Sequence, residues 1–569
     1  MIDMRRMIVL LFCILVYFPA LNAQENDDIK YIAKLLSEDP EELKEEDVEM
    51  FSSLLRKPVL LNMASQDELI SSGIFTRYQV ASLMDYRERS GPCLSFLELA
   101  SLNGFGEDFV QLIKPFVSLE YLPELRGGTV HEITERVSLR YTPGTNRYGY
   151  TSRYKLKMGE MINASVACNR SLDADKPVPD AFSASVEMRF PKLPLSLVAG
   201  DFNARFGQGL ALWTGSNFTS QNSPTVFMKR SFGVTPSSSF TGNNVLTGLA
   251  AEYTAGRFVF TAFTAAPGVK SVKAKPEKLR ILPAFNATYG WRNGQAGVTH
   301  HLEFAGMGTE TYIPIMNTSF DFAMCHKGMD FFSEFVYDWV RNRPVAVAGI
   351  VAPVGDTRSV AALLRALDSE YSVAVSGSLK RKRLNGSASG EMTLYTIPKV
   401  DTQSRSMQLK FHTQWQYILS ESWQLNLRLT ERVRSWGQFF RTDLRTGWVW
   451  KSGIYALTYR FNILYCDNLA WLTYIEGGVK PGKLSLYLRY GIFVVDDWDD
   501  RIYAYERDVP GAYNSPAFYG RGMWTSMMTS YKPTDWCKLY LRAGLTIYPF
   551  MHEKKPGKAE LRFQSVFDF

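Results

Sequence analysis

The chain has 569 residues, of which 46% are hydrophobic and 14% aromatic, and its formal net charge is +7. Beyond the N-terminal apolar run no segment supplies eighteen consecutive apolar residues, which excludes a transmembrane helix in the mature chain. Its six cysteines are too widely spaced for a disulfide framework or a zinc-type ligand cluster.

Residues 1–23 have the pattern of a secretory signal peptide. Arg5 and Arg6 precede an apolar run, and Ala23 offers a small residue for cleavage. The mature protein is therefore expected to be exported, and to be either soluble outside the cytoplasm or inserted in a membrane as a β-barrel.

Two helical regions follow. Residues 24–59 are an acidic segment with apolar residues three and four apart. Residues 60–117 repeat a helix, glycine turn, helix pattern twice, with turns at Gly73-Ile74-Phe75 and Gly104-Phe105-Gly106. Ser65, with Glu68 three residues later, predicts a capping box. Residues 24–117 carry a net charge of −9 and residues 118–569 one of +15.

Residues 60–117 resemble the tandem helix-hairpin-helix domain of bacterial competence DNA receptors. The matching residues are Leu61, Asn62, Met63, Ala64, Ser65, Glu68, Leu69, Gly73, Ile74, Tyr86, Arg87, Gly91, Pro92, Leu99, Gly104, Phe105, Gly106 and Ile113. The resemblance implies that the two turns hold a DNA phosphate on backbone N–H groups, with a nearby cation. The residues that would form this site are Gly73, Ile74, Gly104, Phe105, Gly106 and Arg77.

Three substitutions speak against DNA binding. Phe75 replaces the second glycine of the first turn, and Glu107 and Asp108 follow the second turn. Because affinity for nucleic acid comes mostly from cations that neutralise phosphates, an acidic domain starts at a disadvantage. The sequence therefore favours a structural or protein-binding role for this domain, with DNA binding as the alternative.

Residues 118–130 are predicted to be a linker. After them, apolar residues recur at every second position instead of every third or fourth. Val137, Leu139 and Tyr141 alternate with polar residues, as do Leu484, Leu486 and Leu488. Such alternation predicts strands with one apolar face.

Three features favour a membrane barrel over a soluble sandwich. Phe563, Phe567 and Phe569 alternate along a last strand that resembles the assembly signal of outer-membrane barrels. The aromatic content suits interfacial girdles, and about 440 residues of strand exceed an ordinary sandwich. At about 30 residues per strand, we expect residues 131–569 to form a transmembrane antiparallel β-barrel of about 14 strands, within a range of 12 to 18. A small all-α tandem helix-hairpin-helix domain would precede it in the periplasm.

Two stretches of the barrel hold candidate functional side chains. In the glycine-rich "GDFNARFGQGL", Asp201, Asn203, Arg205 and Gln208 are expected to face the lumen, and the Ser/Thr/Asn-rich connection after it could fold inward or lie outside. Asp496, Asp497, Asp499 and Asp500 stand in an acidic, aromatic loop. A Ca²⁺ site is one interpretation of that loop, and a metal-free outer loop is favoured.

The acidic helix-hairpin-helix domain, the "GDFNARFGQGL" strand, the "RIYAYERDVPGAYNSPAFYG" block and the terminal Phe together resemble a family of helix-hairpin-helix outer-membrane barrel proteins of Gram-negative bacteria. The resemblance spans most of the chain and implies location and architecture. The leading hypothesis is a barrel whose periplasmic domain docks a protein partner or occludes the lumen, serving transport or envelope assembly. DNA capture or uptake is the alternative, and an outer-membrane hydrolase a minor one, since no G-x-S-x-G motif occurs. No enzyme activity, metal or cofactor is predicted. Expected partners are outer-membrane lipid, the barrel assembly machinery and a periplasmic protein, with DNA disfavoured.

Overall fold

The computed structural model describes most of the chain. The described residues are 28–36, 40–41, 43, 45–120, 128–142, 145–159, 161–172, 179–190, 193–214, 221–239, 245–267, 280–307, 310–355, 357–397, 399, 406–437, 439–551 and 555–569. The predicted signal peptide and most of the predicted linker lie outside them.

The N-terminal region is helical, as expected. Its helices are α1 Asp28–Leu36, α2 Glu45–Arg56, α3 Gln66–Ser71, α4 Arg77–Ser90, α5 Phe96–Ala100 and α6 Gly106–Ile113. They pack around buried Ile32, Leu61, Leu83 and Phe116, and the short strands Val59–Leu60 and Val117–Ser118 pair in parallel. We call described residues 28–120 the plug, for reasons given below. None of the described helices is long and apolar enough to cross a membrane.

Side-chain caps begin both helices that flank the first glycine turn, whereas the helix after the second turn has no side-chain cap. The Ser65 hydroxyl accepts a hydrogen bond from the Glu68 N–H at 3.2 Å, which gives half of the predicted capping box. The complete box lies at the next helix, where the side chains of Thr76 and Gln79 each bond the other's backbone. The helix pairs α3/α4 and α5/α6 thus meet at Gly73 and Gly104.

The rest of the chain forms strands that close into a barrel. In chain order they are β1 Thr129–Thr142, β2 Thr145–Met158, β3 Ile162–Ser171, β4 Ala181–Phe190, β5 Leu195–Arg205, β6 Leu246–Ala255, β7 Phe258–Pro267, β8 Arg280–Trp291, β9 Gly294–Met307, β10 Glu310–His326, β11 Met329–Asp338, β12 Arg343–Pro353, β13 Arg358–Ala366, β14 Glu370–Lys380, β15 Leu384–Tyr395, β16 Ser406–Ile418, β17 Trp423–Arg434, β18 Phe440–Ser452, β19 Tyr455–Tyr465, β20 Leu469–Val479, β21 Leu484–Val495, β22 Gly520–Thr534, β23 Cys537–Ile547 and β24 Lys558–Asp568.

Each strand pairs antiparallel with the next, and β24 pairs with β1 through Phe563 and Val137. The described strands thus make a closed ring of 24, so the prediction of about 14 strands is wrong. The barrel uses only about 18 residues of chain per strand, because most connections are short turns at both ends. A value of about 30 residues per strand would require a long outer loop at every hairpin.

Side chains alternate between the two faces of the barrel wall. On β16, Leu409 and Phe411 are exposed on the outer surface, and Lys410 between them faces the lumen. Outward Leu427 and Trp448 continue the apolar surface on β17 and β18. An apolar outside and a polar inside make this an outer-membrane type of barrel.

The two ends of the barrel differ. Phe569 and most of the short turns, such as residues 256–257 and 292–293, lie at one end, which we call the terminal end. Long connections, with described residues 206–214, 221–239 and 496–519, lie at the other, which we call the loop end. Short strands within two of these connections, Gly233–Pro236 and the pair Ile502–Tyr503 with Ala517–Phe518, are described.

Gly200 is where β5 separates from β4, although β5 pairs with β6 as far as Phe202. Its φ is +93°, and a Cβ there would lie 2.2 Å from the carbonyl oxygen of Ala184 on β4. Beyond it, Phe202 to Arg205 pair with Gly233–Pro236 rather than with β4.

We predict that Gly200→Ala hinders folding, because it combines backbone strain with a clash against a neighbouring strand. The measurement is the fraction of barrel that resists unfolding in detergent without heating, seen as a mobility shift on gels. Gly390→Ala is the matched control, since Gly390 has an ordinary φ and nothing within 4 Å of its Cβ position. Equal folded fractions in the two variants would contradict this account.

Candidate functional site

The plug touches opposite sides of the ring. Glu68 on α3 pairs with Lys157 on β2 at 2.7 Å, and Asp108 on α6 pairs with Lys380 on β14 at 3.1 Å. β2 and β14 are twelve strands apart in a ring of 24. Both lysines lie at the terminal end, so the plug bridges the full width of the barrel there.

Further contacts lie between these two points. Arg77 pairs with Glu252 on β6 at 3.0 Å, and the hydroxyl of Tyr78 donates to Asp330 on β11 at 3.0 Å. Burial and the Asp330 charge hold the pKa of Tyr78 well above its usual value. Arg56 pairs with Glu132 on β1 at 3.4 Å. The plug therefore meets the inner wall around the circumference.

Glu41 carries the plug deeper into the lumen. Its carboxylate accepts from Arg460 on β19 at 2.5 Å, from Arg445 on β18 at 2.8 Å, and from the N–H of Tyr505 at 3.1 Å. Burial alone would raise the pKa of Glu41, but the two guanidinium groups lower it to about 2. Tyr513 donates its hydroxyl proton to the neighbouring Pro40 carbonyl at 2.7 Å.

The connection after β5 folds inward from the loop end; we call its described residues 206–214 and 221–239 inner loop 1. Glu334 on β11 accepts N–H bonds from Gln208 at 2.7 Å, Leu210 at 3.0 Å and Ala211 at 3.1 Å. Phe232 is buried in the hydrophobic core of the plug. The loop thus joins the barrel wall to the plug.

The connection between β21 and β22, residues 496–519, also folds inward and is called inner loop 2. Its Arg507 pairs with Glu476 on β20 at 2.9 Å. Its Glu506 pairs with Arg542 on β23 at 2.5 Å, and Asp508 pairs with Arg562 on β24. These ions are buried, so the loop is fixed against the inner wall.

The predicted lumen residues in "GDFNARFGQGL" lie inside the barrel, but under inner loop 1 rather than on an open channel. Asp201 accepts from Thr247 at 2.5 Å and Ser183 at 2.6 Å. Arg205 is 2% exposed and donates to the Thr214 carbonyl. Asn203 accepts from the Thr214 hydroxyl, and Gln208 accepts from the Lys229 N–H at 2.9 Å.

The four predicted aspartates are separated by their partners. Asp496 pairs with Arg521 at 2.7 Å, and Asp497 accepts from the Asn468 amide. Asp500 is buried and accepts from the N–H groups of Asp467 and Asn468, whereas Asp499 is exposed near Arg501. Among the described residues no group of three or more His, Cys, Asp or Glu could hold a metal ion.

The residues predicted to hold a phosphate are largely engaged within the protein. Gly73 faces Phe232, and the α carbon of Gly104 abuts the ring of Tyr78. Ile74 and Phe105 are core residues, and Arg77 is paired with Glu252. Only Gly106 has open space at its Cβ position. In this arrangement the face that would meet DNA is the face that meets the barrel.

Sequence reasoning missed Glu41, Arg445 and Arg460. The alternation on β18 and β19 marks both arginines as lumen-facing, a signal that was available. Nothing in the sequence pairs them with a glutamate about 400 residues earlier, because that contact depends on the placement of the plug.

Comparisons with known proteins found similar solved structures only. No family model and no curated protein matches the chain. Three similar solved structures are the siderophore receptor PirA of Pseudomonas aeruginosa, the FrpB iron transporter of Neisseria meningitidis and an Escherichia coli P pilus tip assembly intermediate, PapC-PapD-PapK-PapG. Identities are 8%, 7% and 8%, with TM-scores of 0.41, 0.39 and 0.47. In the same order, the matched regions cover 78%, 78% and 79% of this chain and 81%, 82% and 63% of the chains in those structures. At these identities and TM-scores the likeness carries no argument about function.

We predict that Glu41→Gln loosens the plug, because it leaves Arg445 and Arg460 buried without their carboxylate. Breaking a buried ion pair costs about 3 kcal/mol, which corresponds to roughly a 100-fold shift in the docking equilibrium. The measurement is the rate of proteolysis within the plug in folded protein. Glu88→Gln, an exposed change on α4, is the control; equal rates in both variants would count against the role of Glu41.

The pKa of Glu41 predicts how plug docking depends on pH. The pKa of Glu41 is about 2 in the docked plug, against an ordinary value of 4.5. A lowered pKa stabilises docking fully above the ordinary value, and this contribution is lost as pH falls from about 4.5 to about 2. Proteolysis of the plug by an acid-active protease should therefore be flat at pH 5 and above and rise below 4.5, with a smaller rise in Glu41→Gln. A rise between pH 8 and 6 would point to other groups.

Proposed function

We propose that the protein is an outer-membrane transport barrel whose own N-terminal domain occludes the lumen, and that cargo passes when the plug moves. The observation that carries the proposal is the pair of contacts from Glu68 to Lys157 and from Asp108 to Lys380, on opposite sides of the ring. The plug thus stands across the path rather than beside it. The loop end would face outward and the terminal end the periplasm.

Barrel width supports this proposal. Outer-membrane barrels of 16 to 18 strands leave an aqueous channel, and those of 22 strands hold a plugged lumen. A ring of 24 strands is wider still, and an unfilled lumen of this size would breach the permeability barrier. The plug with the two inner loops supplies the material that fills it.

The polar character of the plug interface suits a domain that moves. Its contacts with the wall include ion pairs with half-exposed lysines, such as Lys157 and Lys380, and exposed pairs are worth at most about 1 kcal/mol each. A cleft of about 890 Å³ also separates α4 from the wall, between Arg87 and Arg257. Displacement of the plug requires breaking these exposed pairs and also the buried contacts of Glu41, Arg77 and Tyr78.

A periplasmic protein is the proposed partner that moves the plug. Leu94, between α4 and α5, and Leu97, in the first turn of α5, are 80% and 85% exposed, although the other large apolar side chains described in the plug are mostly buried. Exposed leucines on an otherwise closed domain suit contact with another protein. DNA binding remains the alternative, and it would require the plug to undock, since Arg77 is held by Glu252.

The test is channel conductance of purified protein in planar bilayers. Glu68→Lys with Asp108→Lys places cations against Lys157 and Lys380, so like-charge repulsion should release the plug and raise the mean conductance at least about tenfold. Adding Lys157→Glu and Lys380→Glu restores both pairs and should restore the closed state. A deletion of residues 28–117 should conduct continuously.

Two outcomes would overturn the proposal. One is a wild-type protein that conducts as freely as the deletion. The other is a charge-reversed protein that folds, as judged by resistance to unfolding in detergent, and conducts no more than wild type.

A further inference from the structure

A row of cations crosses three adjacent strands near the loop end. Lys410 on β16 is directly opposite Arg432 on β17, and Arg432 is directly opposite Arg441 on β18. Leu409 and Phe411, on either side of Lys410, and Phe440, next to Arg441, are exposed on the outer surface, so Lys410 and Arg441 face the lumen. Arg432 is in register between them and faces the same way. Residues directly opposite in antiparallel strands have Cβ atoms about 5 Å apart, and like charges there repel.

More positive charge lies close to this row. Arg432 has Arg434, Arg441 and Arg501 as its electrostatic neighbours. Arg434 stacks on Trp436 at 5.6 Å and donates to Gln408. On the described strands, the one acidic side chain in register with the row is Glu391, which is opposite Lys410 on β15. Among the described side chains neither Lys410 nor Arg432 forms an ion pair.

A second pair of cations lies deeper on the same strands, and unlike the row near the loop end it has acidic partners. Arg428 on β17 is directly opposite Arg445 on β18, the same cation pairing four residues further into the lumen. There Asp443 lies 3.6 Å from Arg428, and Glu41 of the plug pairs with Arg445. The protein thus neutralises its deeper arginines with its own carboxylates and does not do so in the upper row.

Inner loop 2 holds one member of the row in place. Arg441 donates to the backbone carbonyls of Asp499 at 2.6 Å and Arg501 at 3.1 Å. These bonds orient the guanidinium without cancelling its charge. Arg501 itself lies 4.7 Å from the ring centre of Trp498 and 3.8 Å from the exposed carboxylate of Asp499, which neutralises part of its charge. The row is therefore preorganised, which lowers the entropic cost of binding a ligand.

We propose that Lys410, Arg432 and Arg441, with Arg434 and Arg501 beside them, form a binding site for a solute with two or more phosphate or carboxylate groups. Guanidinium groups bind such oxyanions through paired, charge-assisted hydrogen bonds. Several cations in a row select a multiply charged anion, because a single charge neutralises only part of the repulsion. The site lies above the plug, where a solute entering from the loop end would arrive first.

The experiment is calorimetric titration of the full chain in a neutral detergent with inorganic tripolyphosphate. Lys410→Gln with Arg432→Gln should weaken binding at least about tenfold and reduce its salt dependence. Lys382→Gln with Arg383→Gln is the matched control. It removes the same charge from the exposed turn between β14 and β15 at the terminal end and should leave the affinity unchanged.

The outcomes separate the possible sources of the anion. Equal affinity in wild type and Lys410→Gln/Arg432→Gln, or no binding by wild type at low salt, would overturn the proposal. Lipopolysaccharide phosphates share the same chemistry, so bound lipid is assayed in each preparation. Lipid retained by wild type and lost from the double variant, without tripolyphosphate binding, would assign the row to lipid and also overturn the solute site. Binding needs no open channel, so this test can fail or succeed independently of the plug conductance test.

Discussion

Ring closure is the constraint on which the rest of this structure depends. A bilayer offers no hydrogen-bond partners to the backbone, so a membrane-spanning sheet has to pair its last strand with its first. Here β24 pairs with β1, and the ring has 24 strands. A ring of that size encloses a lumen that side chains cannot fill. The plug and both inner loops occupy this lumen.

Electrostatic complementarity between the plug and the barrel holds the plug in place. Residues 24–117 carry −9 and residues 118–569 carry +15, and the paired acids Glu41, Glu68 and Asp108 all belong to the plug. A domain of net negative charge is attracted to a barrel region of net positive charge, while the buried contacts of Glu41 hold it at one depth. The acidic side chains that argue against DNA binding are thus the same ones that dock the domain on its own barrel.

The sequence showed the local structure well and the long-range structure poorly. Period-two alternation identified the strands, and helical spacing with the Ser65 cap identified the N-terminal helical region. Strand number was wrong, because strand count depends on turn lengths at both ends, and alternation alone does not delimit the turns. Membership of the helix-hairpin-helix family remains a prediction. Glu107 and Asp108 looked like a lost phosphate site, since their contact with Lys380, some 270 residues later, has no local signal. The placement of the plug across the lumen could be offered only as one of two hypotheses.

The most direct test of the account is zero-length carbodiimide cross-linking of the unmodified protein in outer membranes, followed by peptide mapping. This chemistry joins a lysine to a carboxylate only where the two are already in contact. The account predicts isopeptide bonds from Lys157 to Glu68 and from Lys380 to Asp108, both in the same molecule, which places the plug across the ring. Cross-links confined to the plug itself, or to one side of the barrel, would contradict it.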